Sequence, residues 1–119
     1  MAAWEDVERI ALALPETSER LSRGLRQWRV RDKLFVWERP LRRSDLEALG
    51  DEAPDGPILG ARVEHDGAKE ALIADDPGVF FTTPHFDGYP AILEIVGALA
   101  FGLAGLYAWR QARIAEGSA

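Results

Sequence analysis

Nine basic residues lie between positions 20 and 43: Arg20, Arg23, Arg26, Arg29, Arg31, Lys33, Arg39, Arg42 and Arg43. Only Asp32 and Glu38 oppose them, so the segment carries a net +7 in a chain whose total is −6, and the remainder holds −13. A polyanion answers to the local field more than to the sum. Lysine and arginine contacts to phosphates supply most non-specific affinity for nucleic acid. Arg29, Arg31 and Lys33 have the spacing of an outward strand face and a hairpin tip, from which they can meet phosphates or enter a minor groove. Arg26, with Arg20 and Arg23, continues the stripe. The expected chemistry is contact with double-stranded DNA through Arg26, Arg29, Arg31 and Lys33. Little base reading is expected, because no recognition helix stands out. The structural alternative is a solvated strand face whose arginines pair with acidic loops at 45–55 and 64–76.

A second concentration of hydrogen-bonding groups runs from Thr82 to Pro90. Thr82, Thr83, His85, Asp87 and Tyr89 fall in or beside a stretch bounded by Pro84 and Pro90. A rigid polar loop of this kind can bind a small molecule, a protein or a phosphate, or, with His85 and residues 84–90, form a second tip that contacts DNA. It can equally be a corner, with the threonines bonding backbone, Asp87-Gly88 turning the chain, and Phe86 with Tyr89 plugging the sheet.

Other chemistry finds little support. The chain has no cysteine, which excludes disulfides and thiolate metal sites and fits a reducing cytoplasm. Its two histidines, His65 and His85, are not in a paired helical spacing, so no metal site is expected. No Gly-x-Ser-x-Gly and no Gly-rich phosphate loop occurs. His85 with Asp87 is a possible acid–base pair only in the sense that such pairs are common by chance. No catalytic residue and no cofactor is expected.

These candidates need elements to hold them. At 119 residues, 47% hydrophobic and 29% charged, the chain reads as one domain over 1–119 with enough apolar mass for a core. Trp4, Val7, Ile10, Ala11 and Leu14 recur at helical spacing, predicting a helix over 3–14 that Pro15 ends. Residues 16–24 are polar and predict a loop. Residues 25–39 predict a hairpin in which Trp28 and Val30 face one way while Gln27, Arg29 and Arg31 face the other, with a tight turn at Asp32-Lys33. Ser44 and Glu47 have the spacing of a capping box for one short helix. Further strands are expected at 58–63, 79–81 and 91–96, and a helix at 67–75 capped by Asp66. About five strands are therefore expected between N- and C-terminal helices.

The last expected helix, 97–114, overlaps an uncharged apolar run from Ile95 to Trp109. As helix, those 15 residues would span roughly 22 Å, short of the roughly 30 Å hydrocarbon core of a bilayer. Gly97, Gly102 and Gly105 weaken it further. The expectation is a core-packed helix and no membrane partner, with a tail-anchored membrane helix and an exposed dimerisation face as the alternatives. The start, Met1-Ala2-Ala3-Trp4-Glu5-Asp6, lacks the basic and apolar regions of a signal peptide, so a cytoplasmic location is expected.

Two segments carry a resemblance. Phe80-Phe81-Thr82-Thr83-Pro84-His85-Phe86-Asp87-Gly88-Tyr89-Pro90 resembles the signature of the MmcQ/YjbR family. Trp28-Arg29-Val30-Arg31-Asp32-Lys33-Leu34-Phe35-Val36-Trp37 resembles that family's W-x-V-x-x-K-x-F hairpin, and Ala13-Leu14-Pro15-Glu16 fits the end of its opening helix. The likeness runs from about residue 4 to residue 96. It implies a compact CyaY-like (frataxin-like) α+β fold, with an N-terminal helix, an antiparallel sheet of about five strands and a C-terminal helix, and a double wing, formed by two hairpins, that binds DNA. Iron enters only by analogy with frataxin, and fold alone carries no function. The C-terminal part departs from the family: Ala108-Trp109-Arg110 is present, but the turns before it are rich in glycine and alanine and nearly free of charge.

Overall fold

In the computed structural model, residues 4–96 are described. The expected 97–114 helix and most of the apolar run therefore lie outside the described residues. Within 4–96 the order is α1 (Trp4–Ala13), β1 (Thr17–Ser22), β2 (Leu25–Val30), β3 (Lys33–Glu38), α2 (Arg43–Leu49), a 3-10 turn (Gly50–Glu52), β4 (Ile58–Arg62), α3 (Asp66–Asp75), β5 (Phe80–Phe81), a second 3-10 turn (Pro84–Phe86) and β6 (Ala91–Ile95). The architecture is α+β. The described strands form one antiparallel sheet of six, in the order β1-β2-β3-β4-β6-β5.

The strand beyond the expected five is β1. Its sequence, Thr-Ser-Glu-Arg-Leu-Ser, has no apolar alternation, and four of its six residues are exposed. An edge strand with no buried side of its own is held by its backbone ladder, and all six residues pair with β2. The entry into β1 is fixed by Thr17, whose hydroxyl lies 2.9 Å from the Ala11 carbonyl and 2.8 Å from that of Leu14 at the end of α1. The β2–β3 turn falls on Arg31-Asp32, one residue before its expected place. Both residues have positive φ, 49° and 67°, the paired left-handed geometry that suits the twist of a two-residue hairpin loop.

Two helix caps also differ from expectation. Asp66 is the first residue of α3, and its N-cap is His65, whose Nδ1 accepts the Ala68 N–H at 3.0 Å. In α2 the reciprocal contact is made by Asp45, whose carboxylate accepts the Arg42 N–H at 2.8 Å, and not by Ser44 with Glu47. The Asp45 carboxylate is already committed to a buried ion pair with Arg39, which places it to serve the helix start.

Strand register separates the sheet faces, because alternate residues point to opposite sides. Trp28, Val36, Ala61 and Ile92 form one row across β2, β3, β4 and β6. They join Val7 and Ala11 of α1 in a core that Leu72 and Ile73 of α3 also touch. The neighbouring row is Trp37, Gly60, Leu93 and Phe81. It faces the other way, into a smaller cluster with Ile58, Phe86, Ala91 and Leu41. Helices α1 and α3 thus cover one face, while the second is covered in part by Leu41 and the Pro84–Phe86 turn.

Candidate ligand-binding site

The two segments singled out by residue type meet at one end of this sheet. The β2–β3 turn precedes Lys33, the start of β3. The Pro84–Phe86 turn leads through Pro90 into β6, where the Pro90 carbonyl accepts the Val63 N–H at 2.9 Å. Between them, on the face away from α1 and α3, is an open depression of about 280 Å³. Leu34, Trp37 and Arg62 line it from the strands, and His85, Phe86, Tyr89, Pro90 and Ala91 from the loop and the start of β6.

The floor depends on Gly60. A Cβ there would come within 2.6 Å of Trp37 Cζ2, closer than real Cβ contacts, so the indole occupies the space a side chain would need. Glycine inside a strand often marks such an approach. The Trp37 ring therefore lies down on the sheet.

The wall is the 82–90 loop, and three interactions hold it. Phe86 is buried, with the Arg39 guanidinium 5.1 Å from its ring centroid and the His85 ring edge-on at 4.9 Å. Arg39 pairs with Asp45 at 3.0 Å, and both side chains are almost wholly buried. Burial pushes the Asp45 carboxyl up, but the Arg42 N–H and the Arg39 guanidinium outweigh it, and the net shift is below the usual carboxylate range. Lys69 of α3, also buried, donates its ammonium to the carbonyls of Phe86 at 2.8 Å and Tyr89 at 3.3 Å.

Within the loop, Thr83 is buried beside Asp45, and its carbonyl accepts the Phe86 N–H at 2.9 Å. Thr82 is half-buried, with its hydroxyl 3.5 Å from the Thr83 carbonyl. Asp87 and Gly88 turn the chain, the glycine at φ 79°, closed by the Tyr89 N–H on the Phe86 carbonyl at 3.0 Å. Tyr89 does not plug the sheet as Phe86 does: it is 62% exposed, at the rim of the depression. Of the five loop candidates, His85 and Tyr89 line the depression, whereas Thr82, Thr83 and Asp87 shape the backbone around it.

The four basic candidates separate. Arg26 is withdrawn: it bonds Glu38 through Nε at 2.7 Å, lies 3.7 Å from Glu8, and sits over Trp4 and Trp28 at 5.5 and 5.8 Å. The Glu38 hydrogen bond, aided by nearby carboxylates and opposed by burial, raises its pKa further. Arg31 is in the turn, not on the strand face, and forms a two-pronged pair with Glu16 at 2.8 and 3.2 Å. Arg20 pairs with Asp32 at 2.8 Å. The carboxylates that neutralise these three come from α1, the α1–β1 turn, the β2–β3 turn and β3, not from the acidic loops expected to do so.

Arg29 differs, because its acceptors are neutral: the Asp32 carbonyl at 2.8 Å and the Gln27 amide oxygen at 2.9 Å. Its Nε is buried without a partner among the described residues. Register places Arg29 beside Leu34 and Gln27 beside Trp37, so both border the depression. Lys33 is half-buried at the start of β3.

The chain is 59% identical over 96 residues, 78% of its length, to uncharacterised proteins of Mycobacterium tuberculosis (Rv2570) and Mycobacterium bovis (Mb2600), covering 72% of each. It belongs to their family. No family model and no solved structure matches the chain.

In this member of the family, the residue that sequence reasoning missed at the site is Arg62. Among the described residues its guanidinium has neither an ion-pair partner nor a hydrogen bond, yet it lines a mostly apolar recess. The available signal was its position, as the only charge in the strand Ile-Leu-Gly-Ala-Arg, two residues after a glycine. Lys69, Arg39 and Asp45 left no such signal. Among the described residues, no group of three or more His, Cys, Asp or Glu side chains could hold a metal ion, and no helix is long and apolar enough to cross a membrane.

Proposed function

We propose that this protein is a cytoplasmic, non-enzymatic binding domain of the MmcQ/YjbR type that takes a small molecule in the depression between the β2–β3 hairpin and the 82–90 loop. The observation that supports this is Arg62, a cation without an ion-pair partner among the described residues, in a recess floored by Trp37 and Leu34 and walled by a loop that Lys69 and Arg39 hold from behind. Ligand sites are mostly apolar concavities with a few placed polar groups. The test is a small-molecule screen read by thermal shift, since a ligand that binds only the folded state raises Tm. Hits should change the fluorescence of wild type but not of Trp37→Phe. A broad screen without one such hit overturns the reading.

Duplex DNA binding is the second reading. It is favoured by the hairpin tip and the 82–90 loop standing at the same sheet end, with Arg29, Lys33 and Arg62 nearby. It is weakened by the carboxylates that engage Arg20, Arg26 and Arg31. Fluorescence anisotropy with duplex DNA at two salt concentrations separates the readings. Salt-sensitive binding that an Arg29→Glu/Arg31→Glu double mutant abolishes would favour DNA, while binding unchanged in that mutant would exclude this route.

A further inference from the structure

The chemistry lining the depression narrows the class of ligand. Trp37 is the largest side chain in it, and the close approach to Gly60 holds its ring down against β4. A flat aromatic surface fixed in one plane recognises another flat ring by offset stacking, and an aliphatic group of equal size gains less there. Tyr89 and His85 add two more rings at the rim.

The charge at the site has one sign. Arg62 lines the depression with no carboxylate in ion-pair reach among the described residues, and Arg29 borders it with only neutral acceptors. Among the described residues, no acidic side chain lines the recess. A guanidinium left without an anion beside an apolar floor matches a planar carboxylate, which it can grip through two parallel N–H···O bonds.

Size sets the third limit. At about 280 Å³ the depression lies at the bottom of the range of ordinary ligand sites, roughly 300 to 1,000 Å³. It has room for one ring system and one charged group, not for a dinucleotide.

We infer that the depression binds a small planar aromatic carboxylate, its ring stacked on Trp37 and its carboxylate on Arg62. This rests on the small-molecule reading above and goes further by fixing the ligand's chemistry.

The test uses the full chain and three probes: 2-naphthoate, its neutral analogue 2-naphthamide, and cyclohexanecarboxylate, which keeps the charge but has no aromatic face. Binding is followed by saturation-transfer NMR. Loss of a charge-assisted hydrogen bond and loss of stacking should each weaken binding by about tenfold relative to naphthoate. In Arg62→Gln, naphthoate and naphthamide should bind alike. In Trp37→Leu, naphthoate should lose its advantage over cyclohexanecarboxylate. Circular dichroism confirms that both variants are folded, and if Trp37→Leu is not, Trp37→Phe replaces it, with a smaller loss expected. If naphthamide binds wild type as tightly as naphthoate, the carboxylate assignment fails while the pocket stands. If cyclohexanecarboxylate matches naphthoate, the stacking assignment fails likewise. If none of the three binds while other, non-aromatic compounds stabilise the protein, the ligand class is wrong. If nothing binds at all, both readings fall.

Discussion

The indole of Trp37 fills the space above Gly60 that any other residue's Cβ would claim. The two are register partners on β3 and β4, so the contact is dictated by strand pairing and not by a flexible loop. Gly60→Ala must therefore lift the ring off the sheet. Forcing a methyl into a packed contact costs about 1 to 3 kcal/mol, which urea unfolding would register. Because the displaced ring rises into the depression, naphthoate binding should fall along with stability. A variant that keeps wild-type stability and binding would show that Trp37 is not held this way.

Asp45 offers a second prediction. It joins Arg39 in a buried pair, and Arg39 in turn backs Phe86 at the wall of the site. Asp45→Ala leaves a buried guanidinium with the Pro40 carbonyl as its remaining acceptor, and such losses cost about 3 to 5 kcal/mol. Replacing both partners, as Arg39→Met/Asp45→Leu, should cost less than Asp45→Ala alone. The pH dependence follows from the lowered pKa of Asp45. A carboxyl depressed in the folded state contributes fully above its unfolded pKa, and the contribution disappears as pH falls through the folded value. Unfolding followed between neutral and strongly acidic pH should show wild type converging on Asp45→Ala at the acid end.

Much of this architecture is legible in the sequence, for physical reasons that can be named. The α1 stripe and the Trp28/Val30 alternation bury one side, which imposes a period, while β4 and β6 are buried on both faces and read as short, nearly continuous apolar runs. Strand β1 carries no such period because it is a polar edge, which is why residues 16–24 read as a loop. The turn at Arg31-Asp32 was misplaced by one residue because neither side chain advertises the positive φ that glycine usually marks. At the site, the polar residues of the 82–90 loop are conspicuous, but several of them only build the turn. Arg62 and Arg29 stand at the depression, and what distinguishes them from Arg26 and Arg31 is that no carboxylate among the described residues lies within ion-pair distance of either. That is set by long-range pairing, as with Glu38 and Glu16, which no local pattern records.

Lys69 tests whether the loop wall is held from behind. Its ammonium is buried and bonds two carbonyls of the loop, so Lys69→Met leaves both without that donor. Losing these bonds should cost about 1 to 3 kcal/mol. The effect should be local as well as global. Amide exchange at Asp87 and Tyr89 should accelerate more than at Leu59 or Ala61 in the sheet, and naphthoate affinity should drop. Equal acceleration everywhere would mean that Lys69 supports the fold at large and not the loop.

Glu94 bears on stability in the opposite direction. It is fully buried on β6, its register partners are Leu59 and Phe80, and neither carboxylate oxygen has a hydrogen-bond partner among the described residues. Burial alone pushes its pKa from 4.5 up to about 8. The folded protein therefore holds a proton at neutral pH that the unfolded chain has released. Stability should fall as pH rises from the unfolded value towards 8 and level off above it, because beyond that point both states are ionised. At roughly 1.4 kcal/mol per pH unit across that window, the loss amounts to several kcal/mol. Glu94→Gln removes the ionisation and keeps the shape. Its advantage over wild type should be small near pH 5 and grow towards pH 8, as read from urea midpoints at about four pH values in between. A constant offset across that range would mean that burial does not hold the proton on Glu94 in the folded protein.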